Sequence, residues 1–241
     1  MAEIIFAISG GILPALIWLW FWLKEDLHPE PKKAISLTFF FGMLMVPAAF
    51  VLEKALMKLE LFFNPQIASI SIFAIFGWAF IEEYLKYFAA RQSAFKKPWF
   101  DEPVDALIYM ITAALGFAAL ENILFIFQAG DKGMLSGFVA GNMRFIGATL
   151  LHILASSAVG IGLALGFFKK ENPPAGPPAG GRAGGRKNVA WGLLAAVGLH
   201  ALFNFFIIKN SAVGVLKVFS FLWLGIIILL LVFEKIKRLK K

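Results

Sequence analysis

At 241 residues the chain is 60% hydrophobic and only 16% charged, with a mean hydropathy of +0.79, whereas a soluble domain is about half apolar and about a quarter charged. It has no cysteine, which excludes disulfides, thiolate metal sites and a cysteine nucleophile. The net charge of +8 could suit nucleic acid, but the basic residues gather in loops and tail, as orientation in a lipid bilayer requires, so no nucleic-acid partner is expected.

Seven apolar segments long enough to cross a bilayer are predicted near 4–23, 34–52, 67–90, 104–127, 140–168, 188–208 and 212–233. The first, MAEIIFAISGGILPALIWLWFWL, lacks a basic n-region and a small-residue cleavage site and reads as a retained helix. The loop after it, DLHPEPKK, carries His28 in a charged, solvated setting. Segment 53–66, EKALMKLELFFNPQ, reads either as a short amphipathic helix along the outer interface or as a plain loop. The third and fifth spans exceed what a bilayer needs and should tilt or project. Asp105 opens span four as a helix-start residue, and Lys217 lies near the outer end of span seven, where its ammonium can snorkel. The Pro/Gly-rich stretch 171–186 is expected to be a flexible cytoplasmic loop. With no internal repeat and no soluble domain, residues 1–241 read as one all-α, polytopic membrane bundle.

Several polar groups fall at membrane depth. Span three carries Glu82, Glu83 and Lys86, and span four carries Glu121 and Asn122. Span five carries Arg144, His152, Ser156 and Ser157, and span six carries His200 and Asn204. A central charge costs about 2.5–3.5 kcal/mol on the insertion scale. Such groups on four helices are economical only if they meet, which predicts a polar cavity between spans three to six. Spacing agrees: Glu82 and Lys86, His152 and Ser156, and His200 and Asn204 are each four apart and share a helical face. Ser156 and Ser157 read as small residues at a helix contact, and Phe117 reads as core. A buried ion pair that only fixes packing is the bland account of the charges, but packing alone rarely gathers two histidines and three carboxylates.

Two imidazoles and a carboxylate suffice for a catalytic zinc with one open position, and a further carboxylate could activate the water. Without metal, a glutamate could activate water directly while His and Asn stabilise the oxyanion. Both routes lead to hydrolysis inside the membrane. HExxH and GxGD are absent, and Asp101 and Asp105 lie too near the loop for an intramembrane aspartyl dyad. Two other classes fit a buried Glu/Lys/His set: a proton-coupled transporter and a non-catalytic scaffold that binds a partner helix.

The motifs EEYLK (82–86), FAALEN (117–122), RFIGATLLH (144–152) and HALFN (200–204), with the HPEPKK loop, resemble the PrsW family of intramembrane proteases, distant relatives of the CAAX prenyl endopeptidases. The resemblance runs from about residue 24 to 210. In the CAAX branch the second motif ends in histidine; Glu121 stands there in this chain, which weakens any inference of a prenylated substrate. The resemblance implies proteolysis of a membrane protein, with single-pass anti-sigma factors as the family's substrate class. By analogy with the family's first glutamate, Glu82 is expected as the base and Glu83 as ligand or support, or the reverse, with Lys86 keeping one of them ionised. Glu121, His152 and His200 are the expected zinc ligands, and Asn204 the group that holds the substrate carbonyl or oxyanion.

Sixteen lysines and arginines fall in loops 24–33, 91–103 and 169–187 and the tail, against four in the alternate loops. The basic side should be cytoplasmic, with the N-terminus outside and the C-terminus inside the cell membrane. Protease added to the cytoplasmic face alone should therefore cut within 171–186. Cleavage only from the outer face would reverse the orientation.

Overall fold

A computed structural model describes residues 2–66, 70–131, 133–167, 183–209 and 212–239. Among them run α1 (Ala2–Lys24), α2 (Lys32–Phe63), α3 (Ile72–Ser93), α4 (Pro103–Gly130), α5 (Met134–Met143), a π turn (Arg144–Ala148), α6 (Thr149–Phe167), α7 (Ala183–Lys209) and α8 (Ala212–Lys237). The π turn joins α5 to α6 without a break, so the three form the fifth span, and α7 and α8 are the sixth and seventh. Six spans are long and apolar enough to cross a membrane by length and composition. The exception is α3, whose 22 residues reach about 33 Å but include Glu82, Glu83, Lys86 and Arg91. The first and last helices meet at their C-terminal ends. Lys237, ending α8, pairs with Glu25, just past α1, at 3.0 Å, and Trp22 and Phe233 pack with centroids 5.4 Å apart. The ends of the first and last helices thus lie on one side.

The bundle is built around α4, buried without interruption from Pro103 to Ala119 and touched by α1, α2, α3, α5, α6 and α8. A helix that is apolar on every face belongs inside. Lipid supplies little hydrophobic drive between helices, so close approach of small residues must hold them. A Cβ on Gly42 would lie 2.2 Å from the Ala113 carbonyl oxygen, and one on Gly116 would lie 2.0 Å from that of Phe39. Gly162 and Gly192 likewise bring α6 and α7 together: a Cβ on either would lie 2.4 and 2.6 Å from the carbonyl oxygens of Asn188 and Ala158.

The helix ends differ from expectation in places. Segment 53–63 is neither a separate interfacial helix nor a loop; α2 continues through it to Phe63, because its Leu, Glu, Lys, Ala and Met residues are good helix formers with no Gly or Pro to stop them. Span three starts at Ile72, where the Ser71 hydroxyl accepts from the Ala74 amide at 2.9 Å, an N-cap; residues 67–69 lie outside the described residues. The predicted loop 171–186 lies outside them as far as 182, and Ala183–Arg186 opens α7. Asp105 does mark a helix start, its carboxylate accepting from the amides of Asp101 and Glu102 at 2.8 and 2.7 Å. Nearby, the Tyr109 hydroxyl donates to Glu30 and ties the first loop to α4. Burial pushes the carboxyls of Asp26 and Glu30 in that loop above their ordinary range.

Two alanine substitutions separate packing glycines from the rest. Gly116→Ala should destabilise the bundle by about 1–3 kcal/mol through overpacking. Gly198→Ala in α7, where a Cβ meets nothing within 4 Å, should be neutral or slightly stabilising. Thermal unfolding of both variants in detergent measures the difference.

Candidate metal and catalytic site

The site begins with one lysine. Glu82, Glu83 and Lys86 share the inner face of α3 and are all buried, with Glu83 and Lys86 at 0% exposure. The Lys86 ammonium has three N–H groups and each meets a partner: Glu83 Oε1 at 2.7 Å, Glu82 Oε2 at 3.2 Å and His152 Nδ1 at 2.7 Å. The ammonium also stands 4.6 Å from the centre of the Phe117 ring, so the residue expected to be plain core is a wall of the site as well.

A carboxylate stands behind each imidazole. His200 Nδ1 lies 2.8 Å from Glu83 Oε1, and His152 Nε2 lies 2.9 Å from Glu121 Oε2. An imidazole N–H donated to a carboxylate fixes the tautomer and leaves the other nitrogen with its lone pair. Those nitrogens, His200 Nε2 and His152 Nδ1, are each 3.9 Å from Glu82 Oε2. Among the described residues, Glu82, His152 and His200 form the one group of three potential metal-binding side chains with ligand atoms all within 4.8 Å of one another. The two rings are 5.3 Å apart at 80°, and His152 Nδ1 accepts from the Lys86 ammonium.

The orienting carboxylates are fixed in turn. Glu83 Oε2 accepts from the Ser156 hydroxyl at 2.7 Å; Ser156 was expected to be a bland helix contact and instead supports the site, whereas Ser157 does bond only its own helix at Ile153. Glu121 pairs with Arg144 at 2.5 Å. Arg144 also donates to Asn122, whose amide donates to Thr149 at 3.0 Å. Arg144 opens the π turn, and such turns are frequent at functional sites because one extra residue re-aims the helix face. Beyond Arg144 a cavity of about 350 Å³, lined also by Phe125, Gln128, Ala129, Ala140 and Met143, opens between α4 and α5.

Spans three to six thus bring Glu82, Glu83, Lys86, Glu121, Asn122, Arg144, His152, Ser156 and His200 into one cluster. Glu121, expected as a metal ligand, is held by Arg144 and stands behind His152. Glu82, expected as the base, is the carboxylate that completes the triangle. Its Oε1 makes no hydrogen bond among the described residues. Asn204 lies one turn beyond His200 on α7 and is half-buried. Sequence reading missed Glu53, because span two was ended at residue 52. Glu53 lies in electrostatic range of Glu82, Glu121 and Lys86. The signal was its place on the stripe Val46, Ala49, Glu53, Leu56, at heptad spacing.

The family described as PrsW family intramembrane metalloprotease matches residues 30–233. The chain is similar to the protease PrsW of Bacillus subtilis (strain 168), 33% identical over 159 residues that cover 57% of this chain and 69% of the relative. It is similar to the protease PrsW of Geobacillus kaustophilus, 32% identical over 124 residues, 51% of this chain and about half (53%) of the relative's length. The Oceanobacillus iheyensis protein of the same name is 27% identical over 198 residues, 82% of this chain and 81% of the relative. No solved structure matches the chain.

Removing one partner of a buried ion pair leaves the other uncompensated, at a cost of about 3–5 kcal/mol. Lys86→Met, which strands Glu82 and Glu83, should therefore lower thermal stability more than Ser156→Ala, which removes a single hydrogen bond worth about 1.5–3 kcal/mol to a charged group. Unfolding curves of the two variants in one detergent give the ranking.

Proposed function

Because the chain belongs to the PrsW family of intramembrane metalloproteases, we propose that it hydrolyses a peptide bond of a membrane-protein substrate at the Glu82, His152 and His200 cluster. The observation that carries the reading is the grouping of Glu82, His152 and His200, with ligand atoms all within 4.8 Å of one another and each imidazole backed by a carboxylate. Two nitrogens and one oxygen with carboxylate–histidine support suit zinc. Glu82 Oε2, His152 Nδ1 and His200 Nε2 would hold the ion, with the Lys86 ammonium, to which the first two are hydrogen-bonded in this structure, withdrawn onto Glu83; bound there, zinc would supply Lewis acidity for the attacking water and the scissile carbonyl.

The chain's own residues carry the rest. Glu82 Oε1 receives the proton of the water that attacks the carbonyl carbon, and returns it to the amide nitrogen as the C–N bond breaks. Glu83 and Glu121 hold the imidazoles in orientation. Lys86 donates to Glu82 and Glu83 and fixes both carboxylates in place, and Asn204 donates to the carbonyl oxygen as it gains charge. The substrate class we propose is a single-pass membrane protein, with anti-sigma factors the first candidates. We place the chain in the cell membrane with its N-terminus outside and its C-terminus cytoplasmic, on the distribution of basic residues. With the family established, the transporter and scaffold readings are not carried forward.

Metal analysis of purified protein tests the ligand set. Wild type should carry zinc and lose cleavage of a single-pass substrate on chelation. Glu82→Gln, His152→Ala and His200→Ala should each lose both metal and activity. Glu121→Gln should keep metal with affinity reduced about 10–100-fold, as for an orienting partner. An active wild type with no metal and no response to chelator would sink the zinc, and full activity in Glu82→Gln would sink the site.

A further inference from the structure

The cavity beyond Arg144 has no part in the chemistry derived so far. It lies between α4 and α5, holds about 350 Å³, and is walled by Phe125, Gln128, Ala129, Ala140, Met143 and Arg144. An apolar cavity of about 150 Å³ accommodates a benzene ring, so this one has room for a large aliphatic or aromatic side chain together with some backbone. Met143 adds a wall that reshapes easily.

Three observations join the cavity to the cluster. Glu121 Oε2 accepts from Arg144 Nη2 at 2.5 Å and stands 2.9 Å from His152 Nε2, so a single oxygen separates the cavity wall from a metal-site imidazole. The accessible side of the cluster also faces this way. The side chains of Glu83 and Lys86 are 0% exposed and both imidazoles 3%, whereas Glu82, Arg144 and Glu121 are 10%, 15% and 19% exposed. Arg144, finally, has donors in reserve. A guanidinium carries five N–H groups; Nε serves Asn122, Nη2 serves Glu121, and Nη1 donates to nothing among the described residues. The guanidinium lies over the Phe125 ring at 4.1 Å, which keeps it at the cavity.

An occupant that satisfies both the walls and Arg144 brings apolar bulk and hydrogen-bond acceptors together. A lipid acyl chain brings only the first. An unwound peptide brings an apolar side chain for the cavity, and for Nη1 a backbone carbonyl that lipid leaves unsatisfied. The path from Glu82 through His152 and Glu121 to Arg144 has gaps of 3.9, 2.9 and 2.5 Å around one imidazole. An extended chain advances about 3.3 Å per residue, so the cavity is about three residues or fewer from the scissile bond.

Resting on the peptidase reading, we infer that the α4–α5 cavity is a specificity subsite, receiving a bulky apolar side chain of the substrate within about three residues of the scissile bond.

The test uses full-length protein in nanodiscs and single-pass model peptides, each an apolar helix of about 20 residues whose cut is mapped by mass spectrometry. Each residue flanking the cut is set in turn to Ala, Leu or Phe. Wild type should favour Leu or Phe over Ala at one of these positions by about tenfold or more in kcat/KM. Ala140→Phe, which fills the cavity, should remove that preference and leave zinc content and cleavage of the Ala peptide unchanged. Met143→Ala, which enlarges the cavity, should shift the preference from Leu toward Phe, and answers the question even where Ala140→Phe fails to fold. Contact is read separately. Because the chain has no cysteine, Ala140→Cys should form a disulfide with a peptide carrying its one cysteine beside the cut, and not with one carrying it two helical turns away. No preference in wild type, an unchanged preference in the variants, or a uniform loss across the panel would overturn the inference. So would phospholipid that wild type retains and Ala140→Phe loses while substrate preference stays put, which would make the cavity a lipid site. Failure of the peptidase reading is told apart, because wild type would then cut no peptide of the panel.

Discussion

A lysine ammonium with no exposed surface has to find three acceptors or lose its charge, and the arrangement around Lys86 follows from that demand. One turn of α3 supplies two of them as Glu82 and Glu83; the third, His152, has to come from another helix. Bringing α6 to that place also brings Ser156 onto Glu83 and points His152 Nε2 at Glu121. Glu121 then needs its own cation, which Arg144 provides. Each charge admitted to the interior recruits the next, and the series closes where it returns to α3 through His200 and Glu83. Low dielectric makes a partly satisfied network worse than an apolar core, so the cluster is constrained to be nearly complete.

Helix packing lets the cluster close. Polar side chains can meet across four helices only if backbones approach closely elsewhere, and the glycines supply that approach. Gly162 and Gly192 seat α6 against α7, and two turns along α7 from Gly192 stands His200, with its ring 5.3 Å from that of His152. Gly42 and Gly116 seat α2 against α4, which carries Val46 and Ala49 of α2 onto Phe117 at the wall of the cluster. The small residues and the ionisable ones are two parts of one requirement, since the first set the distances over which the second can pair.

The sequence made the bundle legible because hydropathy reports on each helix by itself. Convergence was also legible, since charges at depth on four helices have no economical alternative. Individual roles were not. Glu82 and Glu83 point about 100° apart, and sequence does not say which faces the histidines. The pairing of Glu121 with Arg144 was not legible either, since Arg144 opens a π turn that leaves no mark on RFIGA that composition would detect. Ser156 looked bland because a small residue at a helix contact is usually just that. Glu53 was lost to a boundary, as hydropathy fades at residue 52 while helix propensity does not.

Charge arithmetic links these particulars to chemistry. The cluster gathers the carboxylates of Glu82, Glu83 and Glu121 around the cations of Lys86 and Arg144. Three carboxylates thus face two fixed cations. Packing gains nothing from such an excess; a purely structural network would stop at balance, because each unmatched charge at this depth is a cost without return. A bound divalent cation would offset it, and so in part would the N–H groups of an unwound peptide. The surplus therefore argues for a site organised to be completed by what it binds, and Glu82 Oε1, without a hydrogen bond among the described residues, is where that completion would be felt.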